Sequence, residues 1–219
     1  MAGILFIISA PSGSGKSTLV SQLRTLVEGL DFSISYTTRA PRGSEEDGRE
    51  YHFTSREEFR RMVAAGDFLE WAEVFGNYYG TAVSALGHAK KAGKDLLLDI
   101  DVQGAVQVMK RLPEAVSIFI LPPSPEVLEM RLRNRSEAEH MTSEAVIERR
   151  LSQARKELEQ VWGYKYALVN DVLDQAVSEM RAIVLYERGV RDGVQTVALG
   201  GRTYAAAAKL QAALGTFER

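Results

Sequence analysis

Five consecutive apolar residues, Ile4-Leu5-Phe6-Ile7-Ile8, run straight into a segment of small residues that ends in lysine and serine. An apolar run without polar alternation reads as a strand buried on both faces. Thr18-Leu19-Val20-Ser21-Gln22-Leu23 then takes up helical spacing. Strand, glycine loop and helix in that order aim backbone N–H groups and the positive end of a helix at one point, which suits a phosphate. The segment Ala10-Pro11-Ser12-Gly13-Ser14-Gly15-Lys16-Ser17 matches the P-loop pattern at every fixed position except the first, where Ala10 stands for glycine. Lys16 is therefore expected to reach the β- and γ-phosphates of ATP, and the Ser17 hydroxyl to ligate Mg²⁺. Residues 10–17 with Thr18 form the expected ATP-binding set. A mere turn between strand and helix would need neither the lysine nor the serine.

Three further apolar runs follow, Asp95 to Asp101, Val116 to Leu121 and Tyr166 to Val169, separated by helical stretches such as Val102 to Arg111 and Pro125 to Arg133. Such runs alternating with helices predict a parallel sheet covered on both faces, an α/β fold. Two stretches break the rhythm. From Ser33 to Ala85 the chain is rich in Tyr, Thr, Arg and Gly, which predicts short strands and turns in a small inserted module. From Asn134 to Arg149 it is polar and without apolar periodicity, which predicts a flap. The tail after Gly193 has good helix propensity but little apolar face, and is read as an appendage without assigned function.

Composition narrows the class. A formal net charge of -2 gives no footprint for nucleic acid or a membrane surface, so phosphate chemistry has to rest on local charge. The absence of cysteine excludes disulfides, thiolate zinc sites and a cysteine nucleophile, and suits a reducing cytoplasm. The apolar run at Ile4 is too short to span a bilayer and lacks the basic residues that precede a signal sequence. His52, His88 and His140 show no ligand spacing and are read as solvated residues of polar loops. Monomer and homo-oligomer are both compatible with this reading.

A P-loop serves many reactions, so the acceptor has to be sought elsewhere. Arg39 and Arg42 stand three apart after Ser35-Tyr36-Thr37-Thr38, and Tyr51 and Tyr79 flank Glu70. Guanidinium forks and phenolic hydroxyls suit a phosphate dianion. One carboxylate can accept from both N1–H and the N2 amino group of guanine, a pair of donors that adenine lacks. Hydroxyls such as Ser35 and Thr81 can donate to guanine O6. Each residue alone reads as part of a polar surface loop. Together, after a P-loop, they point to a nucleoside monophosphate.

The segment from Thr37 to Phe53, with Phe68-Leu69-Glu70-Trp71-Ala72, Gly76 to Thr81 and Leu98 to Gly104, resembles the guanylate kinase family, and the likeness covers about Gly3 to Arg188. The resemblance implies that Ser35, Arg39, Arg42, Tyr51, Glu70, Tyr79, Thr81 and Asp101 line a GMP site. It also implies a P-loop kinase core (residues 1–34, 86–133 and 151–190), an inserted α+β GMP-binding domain (35–85), a lid (134–150) and an appendage (191–219). Arg131, Arg135 and Arg150 match arginines of the lid or its flanks, and Asn170 a segment near the adenine. Asn134-Arg135-Ser136 departs from the family's Gly-Arg-Gly.

The implied reaction is direct in-line transfer of the ATP γ-phosphoryl group to GMP or dGMP, with Lys16, Arg39, Arg135 and Arg150 as catalytic residues. Asp99 either holds Mg²⁺ through water or caps the helix that follows. The rivals are a kinase for another small phosphate ester and a guanylate-kinase-like protein-binding module. Gly15, Lys16, Ser17, Arg39, Arg42 and Glu70 speak against the second.

Overall fold

The computed structural model describes residues 3–138, 143–193 and 200–217, the side chains of 138 and 200–207 excepted. Its strands are β1 (Leu5–Ser9), β2 (Leu30–Phe32), β3 (Tyr36–Thr37), β4 (His52–Phe53), β5 (Phe68–Val74), β6 (Asn77–Ala82), β7 (Asp95–Asp99), β8 (Val116–Leu121) and β9 (Tyr166–Val169). The helices are α1 (Lys16–Leu26), α2 (Arg56–Ala65), α3 (Val83–Ala92), α4 (Val102–Arg111), α5 (Pro125–Ala138), α6 (Glu144–Leu158), α7 (Leu173–Arg191) and α8 (Gly200–Phe217). Five strands are hydrogen-bonded in the order β2-β7-β1-β8-β9, with β2 parallel to β7 and β8 parallel to β9. The four apolar runs are all strands of this sheet, and every residue of β8 is buried. The fold is α/β, with helices flanking a parallel sheet.

The chain forms two compact units. The first comprises Met1–Ile7 and Gly29–Ala115, the second Ile8–Glu28 and Val116–Arg219. Within the first, a separate sheet has the order β4-β3-β6-β5, with β3 antiparallel to β6 and β6 antiparallel to β5. It has its own small core. Phe59 and Met62 of α2 pack with Phe68, Tyr36 and Tyr78, and the Phe59 and Phe68 rings stack at 4.4 Å. Burying a side chain such as Phe59 stabilises by about 1.5–3 kcal/mol. Helix α2 starts where the Ser55 side chain accepts from Glu58 N at 3.0 Å and ends at Gly66 in the left-handed conformation. His52 lies on β4 against the Tyr36 ring and His88 on α3, so neither is a loop residue. His140 lies outside the described residues.

In the second unit the stretch read as a flap is largely helical. Helices α5 and α6 run to Ala138 and from Glu144, and Arg133 joins them by bonds to Glu129 and Glu144. The polar sequence reflects this salt-bridged surface, while Leu128, Leu132 and Ala154 form the apolar side of the pair. The tail does more than extend the chain. Ala213 of α8 is buried, and Phe217 packs on the Leu128, Leu132 and Ala154 cluster. No helix among the described residues is long and apolar enough to cross a membrane.

Candidate active site

In the second unit, the phosphate loop leaves β1 and turns into α1 through Gly13 and Gly15, with φ of +89° and +82°. Side chains rarely adopt this conformation, which explains both glycines. Ala10 is buried and is not among the described residues with positive φ, so the missing glycine at the head of the motif is not required by the backbone. Gly15 caps α1 with no side-chain hydrogen bond, and no acidic residue stands in the first turn. The N–H groups at that end are left for an anion. Lys16 opens the helix half-buried, followed by Ser17 and Thr18, both exposed.

Two residues from elsewhere in the unit fasten the loop. Asn170, buried after β9, donates its Nδ2 to Ser14 O at 2.8 Å. Arg131 of α5 donates to Ser14 O at 3.4 Å and to Asn170 O at 3.2 Å. Burial lowers the pKa of Arg131, with Asp171 acting against the shift. A Cβ on Gly15 would overlap Asn170 Nδ2, and one on Gly13 would lie 3.0 Å from Leu132 and 3.1 Å from Leu128. Asn170 and Arg131 thus hold the loop's backbone. Asn170→Ala is expected to cost about 1–3 kcal/mol, the penalty for removing a partner of a buried polar group, and to raise the KM for ATP more than that for GMP. Thermal unfolding and initial rates check this.

In the stretch expected to form a lid, Arg135 is exposed on α5, and Arg150 of α6 is buried and donates to Ser136 Oγ at 3.0 Å. Ser136, where the sequence departs from the family pattern, therefore accepts a hydrogen bond from Arg150.

The expected acceptor residues lie in the first unit. Thr37 Oγ1 accepts from Arg39 N at 3.1 Å and donates to Tyr78 O at 3.1 Å, which fixes the turn after β3. The Arg39 guanidinium meets Glu45 as a fork at 2.9 Å on both nitrogens, and Glu45 also accepts from Arg42 N at 2.8 Å. Arg39 lies over the Tyr51 ring at 5.3 Å, and the Tyr51 and Tyr79 rings meet edge to face at 5.9 Å. Burial alone would lower the Arg39 pKa, but Glu45 and Tyr79 outweigh it and hold the group fully charged. Burial would raise Glu45, and its bonds from Arg39 and the Arg42 backbone instead bring it below the usual carboxylate value. Burial, then the nearby Asp99 carboxylate, pushes the Tyr51 phenol up, so it remains a donor at neutral pH. Ser35 O accepts from His52 N at 2.9 Å, and Arg42 is exposed.

Glu70 on β5 is 3% exposed and pairs in register with Thr81 on β6. The Thr81 hydroxyl is buried and has no hydrogen-bond partner among the described residues. A buried hydroxyl of this kind is costly unless something completes it. The helix after β7 is capped by Asp101, whose Oδ1 accepts from Gly104 N at 2.9 Å. Asp99 is therefore not its cap, which removes the capping alternative. Asp99 ends β7 half-buried. Among the described residues no group of three or more His, Cys, Asp or Glu could hold a metal alone. The Ser17 hydroxyl, in the second unit, and the Asp99 carboxylate, in the first, are each an oxygen donor of the hard kind that Mg²⁺ takes.

Sequence reasoning missed Glu45, Gln107, Arg111 and the bond made by Ser136. Only Glu45 had a local signal, an acid six residues from the arginine it orients.

The sequence model of the guanylate kinase family matches residues 3–187. A guanylate kinase from Koribacter versatilis is 60% identical, over 89% of this chain and 83% of its own. One from Dechloromonas aromatica is 50% identical, over 84% of this chain and 89% of its own. The crystal structure of guanylate kinase from Anaplasma phagocytophilum superposes with a TM-score of 0.68 at 35% identity, covering 85% of this chain and 86% of that one. An uncapped helix behind the phosphate loop in one unit, a buried glutamate beside Thr81 in the other, and these likenesses agree: the chain belongs to the guanylate kinase family.

Proposed function

We propose that the chain transfers the γ-phosphoryl group of ATP to GMP, giving ADP and GDP. The observation that carries this reading is the buried pair of Glu70 and Thr81, a carboxylate and a hydroxyl side by side, in a chain that also holds a P-loop. The carboxylate accepts from guanine N1–H and N2–H₂, and the hydroxyl donates to O6. Arg39, Arg42, Tyr51 and Tyr79 hold the GMP phosphate. Its dianion meets an Arg39 that Glu45 has already oriented, so little side-chain entropy is lost on binding.

The chemistry is a displacement at the γ-phosphorus. A GMP phosphate oxygen forms the new P–O bond, and the bond to the bridging oxygen of ADP breaks. The acceptor oxygen is already anionic at neutral pH, so no strong base is required, and positioning and charge stabilisation do the catalysis. Lys16 and the N-terminus of α1 hold the donor phosphates. Arg131, Arg135 and Arg150 lie in the same unit as the loop and neutralise the transferring group. Ser17 directly and Asp99 through water would hold Mg²⁺, which when bound would supply charge neutralisation to the donor phosphates. A cysteine-free chain suits the cytoplasm.

The test is release of ADP with each nucleoside monophosphate offered separately. GMP is expected to be the preferred acceptor by orders of magnitude over AMP, CMP and UMP, with dGMP accepted. Equal rates with AMP would overturn the assignment of the base. No ADP release with any acceptor would point to a binding module instead.

A further inference from the structure

Helix α4 lies along β5, the edge strand of the four-stranded sheet. Gln107 donates to Trp71 O at 2.7 Å and accepts from Trp71 N at 3.4 Å, while Arg111 donates to Phe68 O at 3.2 Å and Leu69 O at 2.5 Å. These side chains stand in for a neighbouring strand. Arg111 grips the strand where the β5–β6 register shifts between Phe68 and Glu70, an irregularity of the kind that re-aims a side chain. Gly104 is on the same face of α4, three and seven residues before them.

A glycine inside a helix calls for an explanation, because alanine is the better helix former. Gly104 is not among the glycines with positive φ, so the backbone does not demand it. Its surroundings do. A Cβ there would overlap Glu70 Oε2 and lie 2.9 Å from Glu70 Cδ and 3.1 Å from Asp101 Oδ1. Both carboxylates expected to face guanine close on this one Cα, and Asp101 already accepts from its N–H. The first turn of α4 also offers the positive end of a helix to the Glu70 charge.

We propose that Gly104 is a positioning residue for base selection: its missing side chain lets the Glu70 carboxylate seat against the first turn of α4 beside Asp101, so that the two present one acceptor edge to guanine. This rests on the reading of Glu70 as the residue that accepts from the base. Gln107 and Arg111 hold the strand that carries Glu70 at the depth this requires.

Gly104→Ala separates this role from a structural one, because helix propensity and base recognition predict opposite outcomes. The variant is expected to unfold at an equal or higher temperature than the parent. The KM for GMP should rise at least tenfold, the KM for ATP should stay within twofold, and the GMP-to-AMP ratio of kcat/KM should narrow. Glu70→Asp, which shortens the side chain by one methylene, should recover part of the GMP loss when combined with Gly104→Ala. A folded Gly104→Ala protein with GMP kinetics within twofold of the parent would overturn the proposal. So would a fall in melting temperature with ATP and GMP kinetics damaged alike, which marks plain packing damage. Glu70→Ala, measured alongside, tells the two levels apart. If it leaves the GMP-to-AMP ratio unaltered, the reading of Glu70 falls and this proposal with it. If it collapses the ratio while Gly104→Ala does not, only the proposal for Gly104 falls.

Discussion

Lys16→Ala is expected to lower kcat on the order of 10³-fold, the scale seen when a preorganised charge or donor is removed from a transition state, while the protein stays folded. Lys16 is half-buried in the first turn of α1 and fills no core volume. Alanine is also a good residue for a helix start of this kind. The melting temperature should therefore stay within a few degrees, since about 1 kcal/mol corresponds to about 2–4 °C for a chain of this size. Steady-state ADP release and thermal unfolding on the same preparation make the check. Parent-like turnover by a folded Lys16→Ala protein would remove the P-loop from the donor site.

The second large effect concerns the base. Glu70→Ala is expected to lower kcat/KM for GMP by about 10²–10⁴-fold, because two charge-assisted hydrogen bonds are lost at about 1.5–3 kcal/mol each. The KM for ATP should change little, since the ATP-binding residues belong to a different unit of the chain. AMP should lose far less, because it never offered the donors, and the GMP-to-AMP ratio should narrow. Glu70→Gln should fall between, as an amide has one acceptor oxygen and turns its NH₂ toward guanine donors. Rates with both nucleotides for the parent and both variants decide the matter. An unaltered ratio in Glu70→Ala would move base recognition to Asp101.

These predictions rest on residues legible in the sequence for a physical reason: each belongs to a run of neighbours whose chemistry is local. The loop from Ala10 to Ser17 is read whole because consecutive backbone groups do its work. The four buried strands were visible because burial on both faces leaves no polar alternation. Strand β2 was not, since Leu30–Phe32 is short and half-buried. Helix α2 was hidden among arginines and acids on its outer face, although Ser55 and Glu58 mark its start. Residues 134–149 were read as a flap because most of those described are polar and exposed, with Ile147 the one buried apolar residue among them. The docking of α8 uses a small residue, Ala213, and an aromatic at its end, Phe217, which periodicity does not register. Gly104 could not be read either: its reason lies with Glu70, on another element, and only proximity reveals it.

The seating of the phosphate loop also bears on how the protein is made. The loop is synthesised well before the groups that hold it, for the amide that holds Ser14 comes 156 positions later. Leu128 and Leu132, which back Gly13, and Phe217, which packs on them, arrive late as well. At about 5–20 residues per second, translation leaves the loop unseated for on the order of ten seconds. During that interval the buried side of α1 lacks α7, the helix of its own unit that packs on it. Contacts this distant in sequence form slowly, and a ligand stabilises only a site that already exists. ATP in the cell can thus secure this loop only once Asn170 has been made and has folded back onto it.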